Sequence, residues 1–139
     1  MIVNTAYIYM GSAGGPVNPV IFNGNEINYR YSGTNFIEEP NGFRMQTGAC
    51  ELVFTGLDLS NFVRLRVEGT NDASGGVSLT VNFIDNSGNV STNITRNYKG
   101  NSSSYVQYDI PAEYRNPKTK IKFSSANGRN LLLKYANLS

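Results

Sequence analysis

Apolar and polar residues take turns along most of this chain. In Phe62-Val63-Arg64-Leu65-Arg66-Val67-Glu68, Val63, Leu65 and Val67 share one parity and both arginines the other. Val77, Leu79, Val81 and Phe83 alternate in the same way with Ser78, Thr80 and Asn82. A period of two belongs to extended strands with one face against a core and one against water. The same reading predicts strands over Ile2 to Tyr9, Glu26 to Tyr31, Phe43 to Gln46, Cys50 to Thr55, Val90 to Arg96, Tyr105 to Ile110, Thr119 to Ser124 and Leu131 to Tyr135. No window of about ten residues carries helical spacing.

Turn chemistry separates the predicted strands. Asp85-Asn86-Ser87-Gly88-Asn89 suits a hairpin, Asp72-Ala73-Ser74-Gly75-Gly76 a second loop, and Asn127-Gly128 supplies positive φ between the last two strands. Short strands at this spacing, in a chain with 14 glycines, predict an all-β fold: an antiparallel two-sheet jelly-roll β-sandwich. Gly11-Ser12-Ala13-Gly14-Gly15-Pro16-Val17-Asn18-Pro19 sets the opening segment apart. Residues 1–22 therefore read as an N-terminal extended arm with a Gly/Pro linker, and residues 23–139 as the sandwich. Residues 2–9 have two readings: an arm that adds a strand to a neighbour's sheet edge, or a first strand joined to its own sandwich by a long loop.

Composition narrows the chemistry. The 139 residues suffice for one domain with a substantial core. The absence of histidine and the single cysteine, Cys50, remove the parts needed for zinc sites, His-dependent triads and Cys-His dyads. By parity with Leu52 and Phe54, Cys50 is a small buried apolar group. Met1 opens no basic-then-apolar signal segment, so the expectation is a protein made in a cytoplasm and exported, if at all, by another route. No apolar run is long enough for a membrane helix, and a net charge of +2 does not favour nucleic acid. The charge is uneven, with eight acids against four bases in residues 1–95 and eight bases against two acids in residues 96–139. Two readings follow: neighbouring strands that pair acid with base, or surface poles that associate copies head to tail.

Catalytic motifs are missing. Glu38 and Glu39 are the only adjacent carboxylates, and neighbours on an extended stretch point to opposite faces. Asp58, Asp72 and Asp85 stand where Asp caps turns. No glycine-rich phosphate loop or nucleophile elbow occurs. The Asp85–Asn89 loop lacks the repeated acids of a calcium site. The expectation is no enzyme, no metal and no cofactor, with a small carboxylate-based hydrolase as the option to exclude.

Aromatics supply the positive lead, because nine tyrosines and no tryptophan is an unusual balance. Tyrosine joins a flat apolar face to a hydroxyl, which suits sugar rings. Parity puts Val106 and Tyr108 inward and Tyr105, Gln107 and Asp109 outward; Tyr29, Tyr31 and Tyr98 read as half-buried core or edge residues. The candidate carbohydrate-binding residues are outward Arg64, Arg66, Asn82, Tyr105 and Gln107.

The segment ACELVFTGLDLSNFVRLRVEGTNDASGGVSLTVNFIDNSGNV and the closing YVQYDIPAEYRNPKTKIKFSSANGRNLLLKYANLS resemble the galactose-binding-domain-like sandwich of many carbohydrate-binding modules, over about residues 24–139. That resemblance implies a jelly roll and a glycan partner. The opening MIVNTAYIYMGS resembles small accessory virion proteins of bacteriophages, assembled in the host cytoplasm without a signal peptide. Together they imply a non-enzymatic structural protein of a capsid or tail that adheres to host or environmental glycans. Its arm would contact other virion proteins or sister copies in a homo-oligomer. The alternative is a purely architectural decoration or cement protein, with the sandwich faces as protein interfaces.

Overall fold

The computed structural model describes residues 17–126 and 130–139. These residues form strands β1 (Val20–Asn23), β2 (Glu26–Ile27), β3 (Arg30–Thr34), β4 (Phe36–Glu39), β5 (Gly42–Met45), β6 (Cys50–Leu57), β7 (Arg64–Asn71), β8 (Val77–Ile84), β9 (Ile94–Tyr98), β10 (Ser102–Asp109), β11 (Thr119–Ser125) and β12 (Leu131–Leu138), with a 3-10 turn at Ala112–Tyr114. The larger sheet runs β10-β7-β12-β1-β2, with β5 also paired to β12 and β4 to β5; the smaller runs β3-β6-β11-β8-β9. Every strand pair is antiparallel. The protein is therefore an all-β, two-sheet antiparallel sandwich, as the alternation predicts. No helix among the described residues is long and apolar enough to cross a membrane.

The inward parity of the two sheets makes one core. Leu65 and Val67 of β7 and Val77, Leu79, Val81 and Phe83 of β8 are buried, as are Cys50, Leu52 and Phe54 of β6. Aromatic rings fill the centre. Phe54 of the smaller sheet stacks on Phe22 of the larger at 5.5 Å and meets Phe43 and Phe123 edge-on at 5.8 and 5.9 Å. Such contacts add about 0.5–1.5 kcal/mol each beyond area burial. Two buried tyrosines tie the sheets in opposite directions. Tyr98 of β9 donates its hydroxyl to the Val67 carbonyl across the core, and Tyr108 of β10 donates to Leu79, both at 3.1 Å. Burial pushes both phenols above their ordinary range, so they stay neutral donors. Of the tyrosines expected to be half-buried core or edge residues, Tyr98 and Tyr29 belong to the core and are more than half buried, and Tyr31 is intermediate.

Several boundaries differ from the sequence expectation. The sandwich begins at Val20 rather than 23, because β1 pairs with β12 and buries Ile21 and Phe22 completely. The predicted strand from Glu26 to Tyr31 is two strands in different sheets: β2 pairs with β1, and after Asn28-Tyr29 the chain crosses to β3 beside β6. β4, which no alternation announces, pairs with β5. Val63 is 42% exposed instead of inward; it precedes β7, and its N–H donates to the Ser139 carbonyl at 2.8 Å. Val90 makes a single bridge to Ile84 and is 53% exposed, while the strand proper starts at Ile94. The predicted strand over residues 2–9 and the Asn127-Gly128 turn lie outside the described residues. The basic strands interleave with the others: β11 sits between β6 and β8, with Lys122 Nζ 3.7 Å from Glu51.

Candidate functional site

The site is built around a break in β12. Along one edge β12 pairs with β7 throughout; along the other it pairs with β5 at Leu131–Leu133 and with β1 at Tyr135–Asn137. The register slips between Leu133 and Tyr135, leaving Lys134 at the junction. The Gly24 N–H donates to the Lys134 carbonyl at 2.8 Å, which brings the β1–β2 turn over the junction. Gly24 has φ +62°, a left-handed conformation that glycine adopts at little cost. Gly42 of the β4–β5 turn has φ +144°, and a Cβ there would collide with the Leu133 carbonyl oxygen. Glycine at both turns lets the short strands close on β12.

The bulge also reverses the parity of β12. Leu131 and Leu133 face the core, but beyond the slip Tyr135 lies opposite Glu68, and Asn137 opposite Arg66, on the outer face. On the other side of β7, Gln107 is opposite Arg66 and Tyr105 opposite Glu68. Two rows therefore cross the outer face of the larger sheet, one of Gln107, Arg66 and Asn137 and the other of Tyr105, Glu68, Tyr135 and Asn23. Rows two residues apart are separated by about 6.7 Å.

Within these rows the Arg66 guanidinium carbon lies 4.3 Å from the Tyr105 ring centroid. The Tyr105 hydroxyl donates to Asn137 Oδ1 at 3.3 Å, and its ring meets Tyr135 at 6.0 Å and 86°. Burial first and the Tyr135 phenol second raise the Tyr105 phenol above its ordinary value, with Arg66 opposing. The hydroxyl stays protonated and able to donate. Tyr105, Tyr135, Glu68, Lys134, Asn23, Gly24 and Asn41 line an open depression of about 510 Å³. It offers two aromatic walls, one carboxylate, one ammonium and two carboxamides.

Four of the five sequence candidates, Arg64, Arg66, Tyr105 and Gln107, share this face. Arg64 lies 3.8 Å from Asp109. Asn82 is a correction: it lies on β8 in the other sheet and is only 4% exposed. Its parity is outward as expected, but the chain after Val90 folds over it, and its amide donates to the Ser91 carbonyl and Asn93 Oδ1 at 3.0 and 2.8 Å. Glu68 was missed although it shares parity with Arg64 and Arg66, a signal that could have found it. Tyr135, Lys134 and Asn23 had no local signal, because the bulge and the strand order bring them there.

Asp58 and Asp85 cap turns as the turn reading predicts, whereas at the Asp72 loop the cap is Asn71, whose Oδ1 accepts from the Ala73 N–H at 3.0 Å. Asp85 accepts from the backbone N–H groups of Ser87 and Asn89, and Asp58 from Ser60. Glu39 and Asp72 converge on Arg44 at 2.7 and 3.4 Å. Glu38 and Glu39 point apart: Glu39 toward Arg44, Glu38 toward the Tyr31 hydroxyl. Among the described residues no group of three or more His, Cys, Asp or Glu could hold a metal ion.

No protein-family model matches the chain, and no curated protein matches it. Solved structures do. The exo-β-1,3-galactanase of Phanerochaete chrysosporium, determined with galactose, superposes with TM-score 0.60 and 11% identity over 91% of this chain, which spans 30% of the galactanase's length. A family 6 carbohydrate-binding module superposes with TM-score 0.59 and 12% identity, covering 85% of this chain and 91% of the module. CsCBM6-3 from Clostridium stercorarium, determined with cellobiose, gives TM-score 0.52 and 13% identity over 81% and 88% of the two chains. The fold is thus the jelly-roll sandwich of carbohydrate-binding modules. The matched modules are covered almost end to end, whereas the galactanase match is confined to a part of the enzyme.

Proposed function

We propose that this protein is a non-catalytic glycan-binding domain that uses the outer face of its larger sheet. The observation that carries this reading is the pair of tyrosines set at right angles over an open depression whose remaining groups are all hydrogen-bonding. A sugar ring presents an apolar face to Tyr105 or Tyr135 and its hydroxyls to Glu68, Lys134, Asn23 and Asn41. Carboxylates and carboxamides suit vicinal hydroxyls because they offer several acceptor or donor positions. Modules of the same fold that bind sugars lend this weight. The opening segment's resemblance to phage accessory proteins supports a place in a virion, with the domain adhering to host-surface polysaccharide and weak contacts adding by avidity across copies.

The test is a glycan array probed with the full chain, followed by calorimetry on the best binder. Tyr105→Ala is expected to weaken binding by up to about tenfold, the upper end of what an aromatic stacking contact is worth, with the melting temperature held. An array without a binder, repeated with a multivalent form, contradicts the reading. A second reading, an architectural protein, is favoured by one feature: β10 stands at the edge of its sheet for eight residues with a charge only at Asp109, and such an edge accepts an added strand. Light scattering of the chain with and without residues 1–19 tests it, since loss of an oligomer together with an empty array supports architecture.

A further inference from the structure

Three arginines stand on the outer face of the larger sheet, and they are not equivalent. Arg44 is held by Glu39 and Asp72, and Arg64 lies beside Asp109. Arg66, between them and next to the depression, has no ion-pair partner among the described residues. Its neighbours across both strands are the neutral Gln107 and Asn137. The guanidinium lies over the Tyr105 ring, a placement that restrains it while leaving its N–H edge open to solvent. A guanidinium so held is a preformed fork for a planar carboxylate, which takes two parallel hydrogen bonds from it. Lys134, exposed to the same depression, adds a second cation without an ion-pair partner among the described residues. Glu68 stands in the neighbouring row, between Tyr105 and Tyr135.

We propose that the ligand of this face is an acidic glycan, with the carboxylate of a uronic acid unit on Arg66 and a hydroxyl-rich unit in the depression of Tyr105, Glu68 and Tyr135. This rests on the glycan-binding reading above and adds a charge requirement to it. Stacking on Tyr105 and pairing with the sugar act together: the ring fixes the fork, and a carboxylate is bound more tightly by a fixed fork than by a free one.

The experiment measures, by calorimetry on the full chain, the affinity for oligouronates and for the same oligomers with carboxyl groups reduced to alcohols. A sulfated oligomer without carboxylate is the third arm. The expected result is a preference for the acid form of at least about tenfold, the size of a charge-assisted hydrogen bond, shrinking as salt is raised. Arg66→Ala brings the ratio of the two affinities to about one, and Arg66→Lys restores only part of it. Circular dichroism and melting confirm that the variants fold. Equal affinity of the natural chain for acid and reduced forms, an unchanged ratio in Arg66→Ala, or tighter binding of the sulfated oligomer overturns the proposal. Binding to neutral oligomers alone overturns it and leaves the glycan reading standing, while binding to none overturns both.

Discussion

On the larger sheet, the outward residues of β7, β10 and β12 include Arg66, Glu68, Tyr105 and Tyr135; on the smaller, those of β6, β8 and β11 include Glu51, Thr80, Asn82 and Lys122. The smaller face pairs several of its own polar groups. Thr80 and Thr95 share a hydrogen bond at 2.8 Å, Lys122 lies beside Glu51, and the Asn82 amide is consumed by Ser91 and Asn93. The larger face keeps Arg66, Glu68 and Lys134 without a charged partner among the described residues and backs them with rings. Both faces come from the same alternation of side chains. Arg30 and Lys120 of the smaller face also lack an ion-pair partner among the described residues, so the difference lies in the setting: Arg66, Glu68 and Lys134 stand around the Tyr105 and Tyr135 rings and an open depression.

High pH should act on both faces at once. Burial raises the phenols of Tyr98 and Tyr108, which tie the sheets together, and raises Tyr29 from 10.0 to about 12. An unfolded chain loses these protons near pH 10 while the folded one keeps them. Their contribution is therefore fully present below pH 10 and is lost as pH rises through 10 toward 12. The melting temperature should hold to about pH 9.5 and fall steeply beyond. A flat profile to pH 12 would show that these phenols do not bind the sheets.

Gly42→Ala separates the faces. Its Cβ would strike the Leu133 carbonyl, and its φ is unfavourable for a side chain, so a loss of about 3 kcal/mol is expected. Chemical denaturation measures this loss, and in the folded fraction glycan affinity should fall too, because the junction at Lys134 shifts. Asn82→Ala gives the converse. Removing an amide that satisfies buried acceptors should cost about 1–3 kcal/mol and leave glycan affinity unchanged; a fall in affinity at constant stability would place Asn82 in the site after all.

The sandwich was legible in the sequence wherever strands were long enough to show parity. β6, β7, β8 and β11 bury the residues that alternation selects, and β10 turns Tyr105 outward as expected. β1 and β4 were not, since four residues carry too little pattern, and the register shift in β1 buries Ile21 and Phe22 in succession. On the site, Arg66, Tyr105 and Gln107 were visible from parity alone. Their neighbours were not, because β12 enters between β7 and β1 only in the folded sheet, and the slip at Lys134 turns Tyr135 out against its own alternation. Asn82 shows the opposite failure: its parity was right, but a loop that parity cannot foresee covers it.

The account rests on which face meets the ligand. Backbone amide shifts followed by NMR during titration with the best-binding oligosaccharide decide this directly. Perturbations gathered on Arg66, Glu68, Tyr105, Lys134 and Tyr135, with Thr80, Lys122 and Ser124 unmoved, are the predicted result. Perturbations gathered on the smaller sheet, or confined to loops away from β7, β10 and β12, would contradict it.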